Sequence, residues 1–484
     1  MKRLLLLIAF LPLFAVAQTS GNEDWKKVYR SFPTKINNLV HTRLDAKFDY
    51  EQSYLNGKVW ITLEPHFYTT DSLQLDAKGM NIYQVAIVKA GKNIPLKYQY
   101  DSLFLNIQLD KTYKKGERYT VYIDYTAKPN EFRANGSAAI TDAKGLYFIN
   151  PKGEEKDKPT QIWTQGETEA TSVWVPTIDR TNQKTTQLFN LTVPAKYVSL
   201  SNGKLIAQKT NTDGTRTDTW SMDQPHAPYL FFMGVGDFAV VKDTYKGKEV
   251  NYYVEKAYEK VARRIFGDTP EMMAFFSKKL GVEYPWVKYS QMVARDYVSG
   301  AMENTTATLH QESAQQDARE LTDGNGWEST IAHELFHQWF GDLVTAESWS
   351  NLTVNESFAD YSQLLWLEHK YGKDEAMFEN FNQMRGYIGS GQQSRDLVRF
   401  YYKDKEDMFD AVSYNKGGRI LHMLRNLTGD DAFFASLNKY LTTNKFGTGS
   451  GHKLRLAFEE VTGKDWNWFF NQWYFGNGHP RIDI

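Results

Sequence analysis

The spacing of apolar residues changes period part-way along this chain of 484 residues, and that change limits the fold more than any other feature. From His41 to about Val240, apolar and polar positions alternate with period two, as in Lys58-Val59-Trp60-Ile61-Thr62-Leu63 and Tyr119-Thr120-Val121-Tyr122-Ile123. Such alternation turns one side of a strand to a core and the other to solvent. Asn56-Gly57, Asn202-Gly203 and Asp213-Gly214 are turn dipeptides that reverse strands of this kind. After about Lys246, apolar residues recur at i, i+3 and i+4, the helical period. Residues 255–279, 327–343, 356–371, 418–427 and 431–441 read as helices, with 389–394 as a polar loop among them. The expected fold class is α+β and multidomain. A polar lead-in covers 18–40, an antiparallel β-rich domain 41–245, and a mostly helical domain 246–475.

Charge and composition exclude several classes of function. Lys plus Arg (57) nearly balances Asp plus Glu (58), which offers no attraction for nucleic acid or an anionic membrane. Cysteine is absent, so a cysteine nucleophile, a thiolate metal site and a lipid anchor on an N-terminal cysteine are all excluded. Lys2 and Arg3 precede an apolar run from Leu4 to Phe14 and the small residues Ala15-Val16-Ala17. Residues 1–17 therefore read as a cleaved signal peptide, and the expected location is periplasmic or extracellular. The run is short for a membrane span, so no stable insertion is expected after cleavage; an uncleaved anchor is the alternative.

Chemistry concentrates at His333-Glu334-Leu335-Phe336-His337. Histidines at i and i+4 stand one turn apart on one helix face, where two imidazoles converge on a single zinc ion. Glu334 between them is placed to act on a water that the zinc activates. Two solvated histidines are the bland alternative. Ile331, Leu335, Phe336, Trp339 and Phe340 oppose it, because they mark a buried helix whose histidines need partners. A hydrolytic zinc site wants a third protein ligand and an open position. Glu356, at the start of the next apolar-periodic helix, is the candidate, with a dipole-stabilised carboxylate at a helix N-terminus as the alternative. Asp360, one turn further, is expected to accept a hydrogen bond from a ligand imidazole, that of His333.

At these residues the sequence resembles the M1 family of zinc aminopeptidases. The family spacing of HExxH, eighteen residues and Glu fits His333, Glu334, His337 and Glu356. Its GxMEN motif stands here as Gly300-Ala301-Met302-Glu303-Asn304. Leu191-Thr192-Val193-Pro194 and Ser201-Asn202-Gly203 extend the likeness into the β half, and it runs from about Arg43 to the C-terminus. The resemblance implies a saddle-like β domain ahead of a thermolysin-like peptidase domain, one zinc per chain, and substrates that are peptides with a free N-terminus. It implies that Glu303 pairs with the substrate ammonium, which measures off one residue before the scissile bond. It implies that the Gly300-Ala301 backbone pairs with an extended substrate as an added strand. Thr164-Gln165-Gly166-Glu167 looks like the family's segment that reaches into the cleft. Glu167 is then a second carboxylate for the ammonium, and Gln165 lines the pocket of the first side chain. The Arg-Arg and Cys common downstream are replaced by Val175-Pro176-Thr177-Ile178-Asp179. Asn355-Glu356-Ser357 stands where Asn-Glu-Gly is common. Tyr414, in Tyr414-Asn415-Lys416-Gly417-Gly418, fits the family tyrosine that donates to the oxyanion.

The mechanism implied has His333, His337 and Glu356 on zinc, Glu334 as proton acceptor and donor, Tyr414 on the oxyanion, and Glu303 with Glu167 on the ammonium. A thermolysin-like endopeptidase shares the zinc set but has no use for GxMEN. A non-catalytic binding protein on the same fold has no need to keep all of His333, Glu334, His337, Glu356 and Tyr414. Epoxide hydrolysis of a lipid, known in one branch of the family, uses a C-terminal domain that this chain is expected to lack. Residues 476–484 resemble the first strand of such a missing or vestigial C-terminal region.

Overall fold

The computed structural model describes residues 24–481 apart from 135 and 138. Residues 1–17, read above as a signal peptide, and the last three residues lie outside that range. The β half is built on an eight-stranded sheet in the order Lys204–Thr210, Thr215–His226, Thr185–Pro194, Asn37–Asp49, Tyr54–Pro65, Tyr119–Ala127, Met80–Lys89 and Lys92–Pro95. Pairing is antiparallel except between Asn37–Asp49 and Thr185–Pro194, which run parallel from His41 opposite Thr186 to Lys47 opposite Thr192. A three-stranded sheet of Thr70–Asp76, Phe104–Tyr113 and Lys97–Tyr100 accompanies it. The period-two pattern explains the packing. Val59, Ile61 and Leu63 from the large sheet share one core with Leu73, Leu75, Leu105 and Ile107 from the small one. The first strand begins at Asn37, inside the segment expected to be lead-in.

A further sheet, in the order Phe238–Tyr245, Lys248–Glu255, Tyr289–Ala294, Ala307–Gln311 and Ala301–Met302, opens the second half. The expected boundary after residue 245 falls in the turn of its first hairpin, where Tyr245 pairs with Lys248. Val250 to Val254 are buried without a break, as in a strand covered on both faces, and a strand-like run of this kind does not say which sheet it joins. The helix expected over 255–279 is two pieces, Ala262–Phe266 and Thr269–Leu280. The other expected helices form as Glu328–Phe336, Thr353–Lys370, Gly417–Thr428 and Asp430–Asn444. Three more, Lys373–Gly389, Gly451–Thr462 and Asn467–Trp473, were not expected. Residues 477–481 form no strand; the Tyr387 hydroxyl donates to the Gly478 carbonyl at 3.2 Å. None of the described helices is long and apolar enough to cross a membrane.

A candidate zinc centre

Two antiparallel helices build the centre. Glu328–Phe336 carries Glu334 and presents His333 and, at its C-terminal cap, His337. Thr353–Lys370 returns beside it, so Trp366 lies opposite Glu328, Ser362 opposite Ala332, and Glu356 opposite His337. Leu335, Phe336, Trp339 and Phe340 are buried behind the histidines, which is why this face of the helix cannot turn to solvent.

The ligand atoms form a triangle. Nε2 of His333 and Nε2 of His337 are 3.2 Å apart, and Glu356 Oε2 lies 3.5 Å from the first and 3.4 Å from the second. Two atoms held by a tetrahedral ion at about 2.0–2.1 Å each sit about 3.3–3.4 Å from one another. The triangle therefore has the edges of a zinc site with its fourth corner open. The outer nitrogen of His337 fits as well. His337 Nδ1 donates to the Phe340 carbonyl at 2.9 Å, which leaves the Nε2 lone pair for a metal. That bond needs a sharp turn after the helix, and Gly341 supplies it at φ +136°, with His337 Nδ1 only 3.1 Å from where a β-carbon would stand.

The orienting partner of His333 is not the one expected. The side-chain amide of Gln363 lies 3.0 Å from His333 Nδ1, and with its oxygen turned to that nitrogen it accepts from Nδ1–H and leaves Nε2 for a metal. Asp360 instead faces the helix Gly417–Thr428, with Arg419 at 3.5 Å. Burial pushes its carboxyl up to about 6. The reason is helical geometry. At 100° per residue, position i+7 returns to within about 20° of Glu356, whereas i+4 is about 40° away on the other side. His333 is also one turn further along the antiparallel helix than His337, so it meets the glutamate helix later.

Glu303 follows the short strand Ala301–Met302, the edge of its sheet, where Ala301 pairs with His310 and Met302 with Leu309. Gly300 binds Gln311 through its carbonyl at 3.0 Å. The other edge of Ala301 lines the small cavity above the histidines, together with Gln165, Glu167, Glu303, Glu334 and Tyr414. Gln338, next to His337, locks this segment to the histidine helix: its amide donates to the Glu303 carbonyl at 2.8 Å and accepts from the Thr306 amide at 3.0 Å. Asn202 and Gly203 hold it from the β half, through Thr305 O at 2.7 Å and Thr306 Oγ1 at 2.8 Å. Gln165 donates to Met302 Sδ at 3.2 Å and accepts from the Tyr297 hydroxyl. Neither Gln338, Gln363 nor Tyr297 stood out in the sequence, because a lone amide or phenol carries no spacing signal. Gln363 had one faint mark, its place seven residues after Glu356.

The centre is strongly acidic. Single oxygens of Glu167, Glu303 and Glu356 lie within 4.8 Å of one another. Glu167 Oε1, Glu303 Oε1 and Glu334 Oε2 are buried with no hydrogen-bond partner among the described residues. Burial raises Glu167, Glu303 and Glu334 above the ordinary carboxylate range, and mutual repulsion adds to it. Burial opposes charge on His337 too, but Glu303 and Glu356 outweigh it and raise that imidazole well above its usual value. Burial works against ionised Glu356 as well, yet His337 and His333 hold it down at about 2. Four buried carboxylates require positive charge. A bound dication would offset two of them.

The two halves match family models: the peptidase M1 N-terminal domain over residues 37–230 and the peptidase family M1 domain over residues 265–473. The chain belongs to peptidase family M1. Its cofactor is accordingly zinc, and the triangle of His333, His337 and Glu356 is built to hold it. Among curated proteins it is 28% identical over 359 residues to tricorn protease-interacting factor F2 of Thermoplasma volcanium, covering 72% of this chain and 44% of that one. It is 26% identical over 490 residues to glutamyl aminopeptidase of Sus scrofa, covering 96% and 50%. The chain thus spans about half the length of the curated relatives it matches. A two-domain M1 zinc metallopeptidase solved with L-tryptophan shares the fold at TM-score 0.79 and 20% identity, over 94% of this chain and 98% of that one. An M1 zinc metallopeptidase of Deinococcus radiodurans, solved with a Tyr-Ser-Ala substrate, does so at 0.77 and 21%, again over 94% and 98%. In M1 terms, the β half delivers Gln165 and Glu167 and the helical half delivers everything else.

Proposed function

We propose that the protein is an aminopeptidase that removes single residues from peptides with a free N-terminus. The observation that carries the reading is the pair Glu167 and Glu303, two buried carboxylates with unpartnered oxygens beside the metal triangle. A substrate ammonium is the cation that fits between them, and a blocked N-terminus leaves them unpaired at a cost of about 1–3 kcal/mol or more. The edge strand Ala301–Met302 offers main-chain groups to an extended peptide. Glu334, within reach of the open corner, accepts a proton from water and returns it to the leaving amine. Tyr414 stands nearly parallel to the His333 ring at 6.1 Å between centroids, on the side where its hydroxyl can donate to the carbonyl oxygen as it gains charge. Zinc supplies polarisation of that carbonyl and a lowered pKa for the attacking water. An endopeptidase has no ammonium to bind, so the two carboxylates favour the exopeptidase reading. The N-terminal pattern of Lys2, Arg3, residues 4–14 and Ala15-Val16-Ala17 supports export to the periplasm or beyond.

The test compares aminoacyl amides and their N-acetylated forms on the purified chain, with and without a chelator. Free amides should turn over about tenfold to a hundredfold faster than acetylated ones, or more, and the chelator should abolish both. Equal rates on the two substrates would remove the basis for this function.

A further inference from the structure

The residue after the third metal ligand has an unexplained side chain. Ser357 is fully buried, and nothing in the metal chemistry above uses it. Its hydroxyl donates to the Ser413 carbonyl at 2.6 Å. Thr353, one turn earlier on the same helix, is 2.6 Å away and donates to Ser357 in turn. Ser413 immediately precedes Tyr414 and lies in the π-helical turn Val412–Lys416. The peptide unit between Ser413 and Tyr414 is therefore gripped at both ends: its carbonyl accepts from Ser357, and its N–H donates to the Asp410 carbonyl at 3.1 Å. The orientation of that peptide plane sets the direction of the Tyr414 N–Cα bond, and so where the phenol points. Around it, the Asp410 carboxylate accepts from the Val412 and Ser413 amides at 3.1 and 3.0 Å, and Arg399 clamps that carboxylate at 2.8 and 2.9 Å. The backbone at Gly417 comes so close that an added β-carbon would stand 1.8 Å from Ser357 Oγ.

We propose that Ser357 is a positioning residue for the oxyanion-binding phenol: through the Ser413 carbonyl it ties Tyr414 to the helix that carries Glu356. One rigid element then fixes the metal ligand and the phenol relative to each other, as electrostatic stabilisation of a developing charge requires. The inference rests on the role given to Tyr414 above.

A double-mutant cycle on the full chain tests it, with Ser357→Ala, Tyr414→Phe and the pair assayed on a free aminoacyl amide. Ser357→Ala should lower kcat about tenfold, the worth of one well-placed hydrogen bond. KM should stay within about twofold and zinc content should be unchanged. Combined with Tyr414→Phe, Ser357→Ala should cost nothing further, because its effect passes through the phenol. Ser357→Gly should behave like Ser357→Ala, and serves if the alanine variant folds poorly. The positioning role is overturned if Ser357→Ala keeps full kcat, if it releases zinc, or if its loss is undiminished in the Tyr414→Phe background. A Tyr414→Phe enzyme with full kcat would instead overturn the role of Tyr414 itself, and this one with it.

Discussion

Glu334 shows how much one position draws from its surroundings. Its Oε2 is buried with no hydrogen-bond partner among the described residues, and burial together with Glu303 and Glu356 lifts its proton affinity while His337 opposes. A carboxylate raised in this way is a stronger proton acceptor than one in water. Glu334→Gln keeps the shape and removes the acceptor. It should leave zinc content intact by metal analysis and lower kcat by about 10²–10⁴-fold. A variant that works at near-normal speed would take Glu334 out of the chemistry. Glu356 differs although it shares the same pocket: two imidazoles on its oxygens keep it ionised, as a ligand must be. At this scale the sequence was legible for ligands and base, because HExxH and a distant Glu have a fixed spacing. It misled for Asp360, because i+4 on a helix is a face and not a contact.

At the scale of elements, the site depends on how closely two segments approach. The turn Val412–Lys416 and the helix Gly417–Thr428 press on Thr353–Lys370 where Gly417 and Gly418 leave no side chain between them. A β-carbon at Gly418 would stand 2.4 Å from Asp360 Oδ2. Gly417→Ala should force the turn away from Ser357. It should destabilise the protein by about 1–3 kcal/mol, as overpacking does, and slow turnover more than it weakens substrate binding. A thermal melt and a kcat–KM comparison check both parts. The Lys-Gly-Gly context that marked Tyr414 in the sequence thus has a steric meaning. Lys373–Gly389 escaped notice for the opposite reason. Met377, Phe378, Phe381, Met384 and Ile388 are exposed on it, so its apolar residues do not trace a buried stripe.

Over the whole molecule, the two halves share a boundary that runs through the site. Glu167 comes from the β half and Glu303 from the other, and Lys184 reaches across to the Asp342 carbonyl at 2.8 Å and to Thr345. Each half also buries a neutral histidine. His226 faces Gln187 at 3.0 Å; His310 faces Gln291 at 3.0 Å and accepts from Trp327 at 3.0 Å. Burial lowers both from 6.5 to about 3. Above pH 6.5 neither ring distinguishes folded from unfolded chain. As pH falls from 6.5 towards 3, the unfolded chain binds protons that the folded chain refuses, so stability is lost at about 1.4 kcal/mol per pH unit per ring. His310→Asn should flatten the fall in urea stability between pH 7 and pH 5 by about 2 kcal/mol relative to the parent. An unchanged slope would show that His310 is not held neutral.

By itself the sequence picked out the two histidines and the distant glutamate that the fold brings together, the Glu334 and Glu303 that line the same cavity, and the shift from strands to helices. These are local: a period or a spacing brings their residues together along one or two elements. Tertiary structure alone decided that Gln363 rather than Asp360 meets His333, and that residues 238–255 join the second sheet. It alone laid Ser357 against the turn of Tyr414. Each of these depends on the relative placement of segments far apart in the chain, and that placement is set by which faces pack, which no single segment encodes.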